Sequence, residues 1–322
     1  MNEFLKRVPI PAAGLALGLV SLGNLLRPVS TIITWIAAAC SFILIALLIA
    51  KMLFHPRLVK SELQNPTILS VSGTFFMAIM QLASLASQTT IAFIIWCAAI
   101  VGHLALIALL SLRMLRSFQW DDIFPTYFIT YVGIIVATAT ASAFDMQVVG
   151  QGLFWMGFVC YIVLLAAVTY RVATIPLPES AQPLICIYAA PMSLSLTGYL
   201  SCFADPNPLF VLCLAVLAQA LLVFAVIRIP NLIASLHGRF FPSIAAMTFP
   251  FVISATGLGK TCLFFAAQDH ALPDAIGGLS AAETVLATIM VLYAAFRYLG
   301  YFRQVMAEGS AVAEPSPELH SA

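Results

Sequence analysis

The chain has 322 residues, of which 62% are hydrophobic and only 8% charged, with a mean hydropathy of +1.04. Soluble domains carry about a quarter charged residues, so this composition excludes a water-soluble fold and describes a polytopic membrane protein. A net charge of +1 gives no reason to expect a nucleic-acid partner, and in a bilayer the placement of charge matters more than its sum.

A hydrocarbon core of about 30 Å needs about 20 apolar residues per helix. In chain order the candidates are residues 8–25 (span 1), 31–53 (span 2), 66–86 (span 3), 89–111 (span 4) and 123–143 (span 5). They continue with 149–170 (span 6), 183–202 (span 7), 208–228 (span 8), 242–264 (span 9) and 278–301 (span 10). The start, "MNEFLKRVPIP", has no small-residue cleavage site, so no removable leader is expected. Residues 304–322 are small, polar and acidic and read as a disordered tail, leaving 1–303 as one transmembrane domain. The seven cysteines form no C-x-x-C pair and no metal-ligand spacing with histidine; no metal or cofactor is expected.

If odd spans run outward, one side collects Lys6, Arg7, Lys51, Arg57, Lys60, Arg113, Arg116, Arg171, Arg228, Arg239, Arg297 and Arg303. The other has only Arg27 and Lys260. That asymmetry places both termini in the cytoplasm of an inner-membrane protein and requires an even number of spans. A period accompanies it: Pro9, Pro66, Pro125, Pro183 and Pro242 open the odd spans at separations of 57, 59, 58 and 59 residues. Proline is tolerated in the first turn of a helix, where its missing N–H has no partner to lose.

The odd spans are rich in Gly, Pro, Ser and Thr, and the even ones in Leu, Ile and Ala. Leucine-rich surfaces suit lipid, whereas small and hydroxyl side chains suit protein contacts or a wet passage. The expected fold is therefore all-α, ten transmembrane helices in five hairpins, with an inner ring of odd helices around a pore. Close packing of small residues without a pore is the alternative. Gly14, Gly18, Ser72, Thr74, Thr130, Gly133, Pro191, Ser195, Thr248 and Ser254 are the candidate lining. Arg27 and Lys260, at the outer ends of spans 1 and 9, are candidates for attracting anions, or are ordinary surface charge.

Span 9 contains "FPSIAAMTFPFVIS". Pro250 cannot donate to the carbonyl of Ala246 and pushes Phe249 from helical angles, so a kink there aims the Phe249 ring into a bend. A bulky ring in a small-residue lining closes a pore by size and by dewetting. This stretch, with "PIPAAGLALGLVSLGN" in span 1, "FPTYFITYVGIIVA" in span 5 and "AAPMSLSLTGY" in span 7, resembles the tellurite-resistance/dicarboxylate transporter family. That family holds the bacterial TehA proteins, the yeast malate permease and the plant slow-type anion channels. The resemblance implies ten helices with quasi-fivefold symmetry, a homotrimer with one pore per subunit, and an anion pathway occluded at the T-F-P phenylalanine, here Phe249.

Two functions follow as expectations. The first is a channel passing small anions. The second is a carrier, proton-coupled or not, for four-carbon dicarboxylates, sulfite or tellurite-like oxyanions. Glu283 and His103, ionisable groups within apolar spans, feed the second, since such groups are costly unless paired or functional; both lie on even spans, where a bland role also fits. An enzyme is not expected: there is no H-E-x-x-H, no paired aspartates within a span, and no serine–histidine motif.

Overall fold

Runs of Leu, Ile, Ala and Met propagate helix well, and the even-numbered spans do so without interruption. The structure, a computed structural model, describes residues 2–268 and 273–311. In it the even spans are continuous α-helices over Thr31–Phe54, Thr90–Arg116, Gln147–Thr174, Pro208–Ser235 and Pro273–Ala311. Three of them start on a capping side chain. Ser30 Oγ accepts the N–H of Ile33 at 3.4 Å, Thr89 Oγ1 that of Ala92 at 3.2 Å, and Asn207 Oδ1 that of Phe210 at 3.1 Å. Such caps satisfy amides that have no partner inside the helix. The outward sides of these helices expose Ile32, Trp35, Phe42, Ile94, Val216, Ile227 and Phe296, as a surface facing lipid requires.

The odd-numbered spans are built differently. Span 1 is a short helix, Asn2–Arg7, then a turn, then Ala12–Leu25. Span 3 is Pro66–Val71 and Gly73–Leu85, broken at Ser72. Span 5 is Tyr127–Tyr131 and Ile135–Ala141, separated by a turn and closed by the 3-10 turn Ser142–Phe144. Spans 7 and 9 begin as 3-10 helix, Glu179–Ala189 and Pro242–Met247, and convert to α-helix at Ala190–Cys202 and Phe249–Ala266. Of the five periodic prolines only Pro66 occupies a first α-helical turn. Pro242 opens a 3-10 segment, Pro183 lies inside one, and Pro9 and Pro125 precede the helix. 3-10 turns are common at helix N-termini, and in spans 7 and 9 they run longer than usual, eleven residues and six.

Consecutive odd and even spans pack as five hairpins. The inner segments then close a ring, span 1 against 3, 3 against 5, 5 against 7, 7 against 9, and 9 against 1. Each even helix sits in the outer groove between two inner neighbours: span 2 on 1 and 3, span 4 on 3 and 5, span 6 on 5 and 7, span 8 on 7 and 9, span 10 on 9 and 1. Among the described residues, nine helical segments are long and apolar enough to cross a membrane, and Ala12–Leu25 is a shorter apolar tenth.

One boundary differs from the sequence reading. The last helix runs through 304–308, expected as disordered tail, to Ala311. Val305 is buried, Tyr301 donates to the carbonyl of Arg7 at 2.8 Å, and Glu308 pairs with Arg7, so the N-terminal helix supports this extension; residues 312–322 lie outside the described part. On the same side the buried Lys51 ammonium donates to the Val8 carbonyl at 2.7 Å and to both oxygens of Glu62. That pairing fastens the start of span 1 to the end of span 2 and satisfies a charge that would otherwise be expensive to bury.

Candidate functional site

A helix that breaks leaves backbone groups and a change of direction at the break, and here the five breaks surround one space. A cavity of about 270 Å³ lies on the axis of the inner ring, and every lining residue belongs to an odd span or to the segment just before it. Its mouth is at the proline-bearing ends, where Asn65, Thr67, Ser180 and Ser243 stand. Its deep end is formed by Leu17, Met77, Leu194, Phe249 and Pro250, with Phe249 only 6% exposed. Five lining residues, Leu17, Thr74, Gly133, Pro191 and Pro250, each fall eight positions after Pro9, Pro66, Pro125, Pro183 and Pro242 respectively. The proline period of the sequence therefore recurs among the residues that line the cavity.

Among the described residues no ionisable side chain lines the cavity. Its polar character comes from Asn65, Thr67, Thr74, Thr126, Ser180 and Ser243 among aliphatic and aromatic neighbours. Two of these hydroxyls brace the wall: Thr126 receives a hydrogen bond from Ser70 at 2.6 Å, and Ser243 donates to the Ser180 carbonyl. The inner α-helices beginning at Ala12, Gly73, Ala190 and Phe249 all start beside the cavity. The amides of Ala12, Ala13 and Gly14 are met by the carbonyls of Pro9, Ile10 and Pro11, and that of Ala190 by Ile187, so what these starts offer an anion is the positive end of the helix dipole and not a set of free N–H groups.

The kink expected at Pro250 exists, and its form is specific. The 3-10 segment ends at Thr248, whose φ of −111° and ψ of −83° lie outside the helical region, and Pro250 sits in the first turn of the new α-helix. There its missing N–H costs nothing. Thr248 Oγ1 secures the corner by donating to the carbonyls of Gly14 at 3.1 Å and Ala245 at 2.7 Å. Span 1 approaches so closely that a Cβ on Gly18 would lie 2.4 Å from Thr248 Oγ1. A Cβ on Gly133 would lie 2.1 Å from the Ile129 carbonyl oxygen and 2.7 Å from Met77 Sδ, so glycine is required where span 5 turns.

Of the sequence candidates, Gly14, Thr74, Gly133, Pro191, Phe249 and Pro250 line the cavity. The others do not. Gly18 and Thr248 form the span 1–span 9 contact just described. Ser72 marks the break in span 3 and bonds the Leu69 carbonyl, while Ser195 bonds the carbonyl of Pro191. Thr130 Oγ1 donates to the Ser70 carbonyl, and Ser254 is buried without a hydrogen-bond partner. Arg27 is exposed and Lys260 half-buried, both away from the cavity. His103 Nε2 lies 2.8 Å from the Thr130 carbonyl, at the break in span 5; as the donor there it carries the ring proton and leaves Nδ1 unpartnered. Glu283 is buried on the outer helix. Residue type alone missed Leu17, Met77, Leu194 and the mouth residues Thr67, Thr126 and Ser243, although the last three each directly follow a periodic proline.

No curated protein matches the chain. Residues 8–299 match the SLAC1 family, described as voltage-dependent anion channel, a stretch that takes in all five breaks and the whole cavity lining. With its long apolar helices and this match, the chain is a multi-pass membrane protein of the voltage-dependent anion channel (SLAC1) family, an anion-transport family.

Proposed function

We propose that the chain is a channel that conducts small anions passively along the axis of the inner ring, with the Phe249 ring as its plug. The observation that carries this reading is the position of Phe249, at the buried end of a cavity lined only by the interrupted spans. All ten spans cross the membrane, both termini are cytoplasmic, and the cavity mouth opens to the cytoplasm, because the basic residues gather on that side. Residues 1–303 form the conducting domain, the setting is an inner membrane, and the assembly expected from the resemblance is a homotrimer.

An anion entering from the mouth meets hydroxyls, one amide side chain and the starts of several helices, all weak ligands. Weak and distributed binding lets an ion leave as readily as it enters, which conduction requires. Next it meets an aliphatic and aromatic neck with nothing to replace its hydration shell. Removing the Phe249 ring widens that neck and lets water fill it. In planar bilayers Phe249→Ala is expected to raise anion conductance at least about tenfold, equivalent to about 1.4 kcal/mol off the barrier. Unchanged conductance would remove Phe249 as the plug.

A carrier for dicarboxylates, sulfite or tellurite-like oxyanions is the second reading, and the buried Glu283 is what favours it. The two separate in a bilayer recording under mixed-anion gradients. A channel gives a reversal potential set by the anion gradients alone, whereas a proton-coupled carrier adds a dependence on the imposed pH difference.

A further inference from the structure

Among the described residues Glu283 is the one buried acidic side chain, 5% exposed on span 10. Ser254 of span 9 and Gln219 of span 8 face it, yet both its oxygens, and the hydroxyl of Ser254, lack a hydrogen bond of good geometry. Among the described residues no cation pairs with it. The inner helix Ala12–Leu25, which also packs on span 10, has no ionisable residue. Span 9 offers Lys260, six residues beyond Ser254, and Cys262; no ion pair joins Lys260 to Glu283 among the described residues. Span 8 offers Arg228, nine residues from Gln219, besides Cys213; on span 10, Arg297 is occupied by Tyr293 and the carbonyls of Gly238 and Arg239.

A carboxylate in this position is strongly disfavoured. A neutral acid fits it: one O–H to give and one carbonyl to receive, between the Ser254 hydroxyl and the Gln219 amide that face it. Ser254 belongs to the α-helix that begins at Phe249, about 7.5 Å further along it. What Glu283 holds, it holds on the helix that carries the ring.

We infer, resting on the channel reading above, that Glu283 is a proton-operated positioning residue for the Phe249 helix. Neutral, it ties Ser254 to spans 8 and 10 and keeps the ring in the passage. Ionised, it draws in water, releases Ser254 and loosens the helix. The proton comes from and returns to bulk water, and no other bond changes.

The test uses full-length protein in proteoliposomes and two readouts. Infrared difference spectra, wild type minus Glu283→Gln, are expected to contain a protonated carboxyl band at neutral pH that disappears on alkalinisation. Deuterium exchange of the segment 249–266 is compared between the two proteins at equal pH, which cancels intrinsic exchange chemistry. It should agree below the titration and run about tenfold faster in wild type above it. Anion flux should rise over the same pH range in wild type and stay flat in Glu283→Gln, while Ser254→Ala should uncouple flux from the infrared titration. Absence of the protonated band overturns the inference, and so does a titrating band with no difference in exchange. If band and exchange behave as expected but no variant, Phe249→Ala included, conducts, the channel reading fails while the proton-operated tie stands.

Discussion

Thr248 and Gly18 show how much of the position of Phe249 is decided by two small side chains. The Thr248 hydroxyl serves two carbonyls at the corner where 3-10 helix becomes α-helix. Thr248→Val keeps the shape and removes the donor. Polar contacts between membrane helices are worth about 0.6–1.7 kcal/mol, so thermal unfolding in detergent should show a loss of that size, restored by Thr248→Ser. Gly18→Ala should cost more, about 1–3 kcal/mol for an overpacked contact. Trimming Thr248 to alanine in the same protein should not relieve it, because Thr248 Cβ itself would lie 2.5 Å from the new methyl. Relief by that second change would mean that the two spans are further apart than described. From sequence, Gly18 and Thr248 are simply small and polar residues on inner spans, legible as such but not as lining or packing. A serine or threonine on a helix can bond a carbonyl three or four residues back, as Ser195 and Thr248 do, and nothing in its identity says which way it points.

At the scale of elements, what distinguishes inner from outer helices is continuity, which the sequence reading anticipated at the Pro250 kink and not as a property of every odd span. Gly, Pro, Ser and Thr are the residues that weaken helices or compete for their hydrogen bonds, and their excess in the odd spans matches five interrupted segments inside five continuous ones. The exact site of each break was not legible, since a 3-10 start shifts the register by an amount that proline spacing leaves open. The eight-residue offset from proline to cavity was nevertheless present in the sequence, and applying it to each repeat would have chosen Leu17 over Gly18. A break also needs its backbone satisfied. In span 5 the Thr130 carbonyl is met by His103 from the outer span 4, which makes His103 a brace. His103→Phe should therefore destabilise the protein by about 0.6–1.7 kcal/mol in a thermal melt while leaving the anion reversal potential unchanged. A changed selectivity or a lost pH dependence of flux would instead return His103 to the transport path.

For the whole molecule, the ring and the charge asymmetry together give the cavity a direction. Its mouth carries Thr67 and Ser180, on the side that holds Lys51, Glu62 and the two chain-terminal helices. Phe249, Leu17, Met77 and Leu194 line its other end. Arg27 and Lys260 stand beyond that end, outside the cavity, so on the channel reading the attraction for anions comes from the hydroxyls of the mouth and the helix starts deeper in the cavity. Charges separated from the mouth by more than about 8–10 Å are largely screened at physiological salt, and neutralising both as glutamine should change conductance far less than Phe249→Ala does. Sidedness can be read directly. With the seven native cysteines replaced, Thr67→Cys or Ser180→Cys gives the mouth a single thiol. A membrane-impermeant, negatively charged thiol reagent should modify it in inside-out vesicles and leave it untouched in right-side-out ones. A permeant anion added with the reagent should slow the reaction, because both compete for the same weak ligands, whereas a change of cation should not. Labelling from the outer face with Phe249 intact would mean either that the mouth faces outward or that the passage is not closed at this ring. Repeating it in the Phe249→Ala protein decides between them, since an outward mouth labels equally with and without the ring, and an incomplete plug labels faster once the ring is gone.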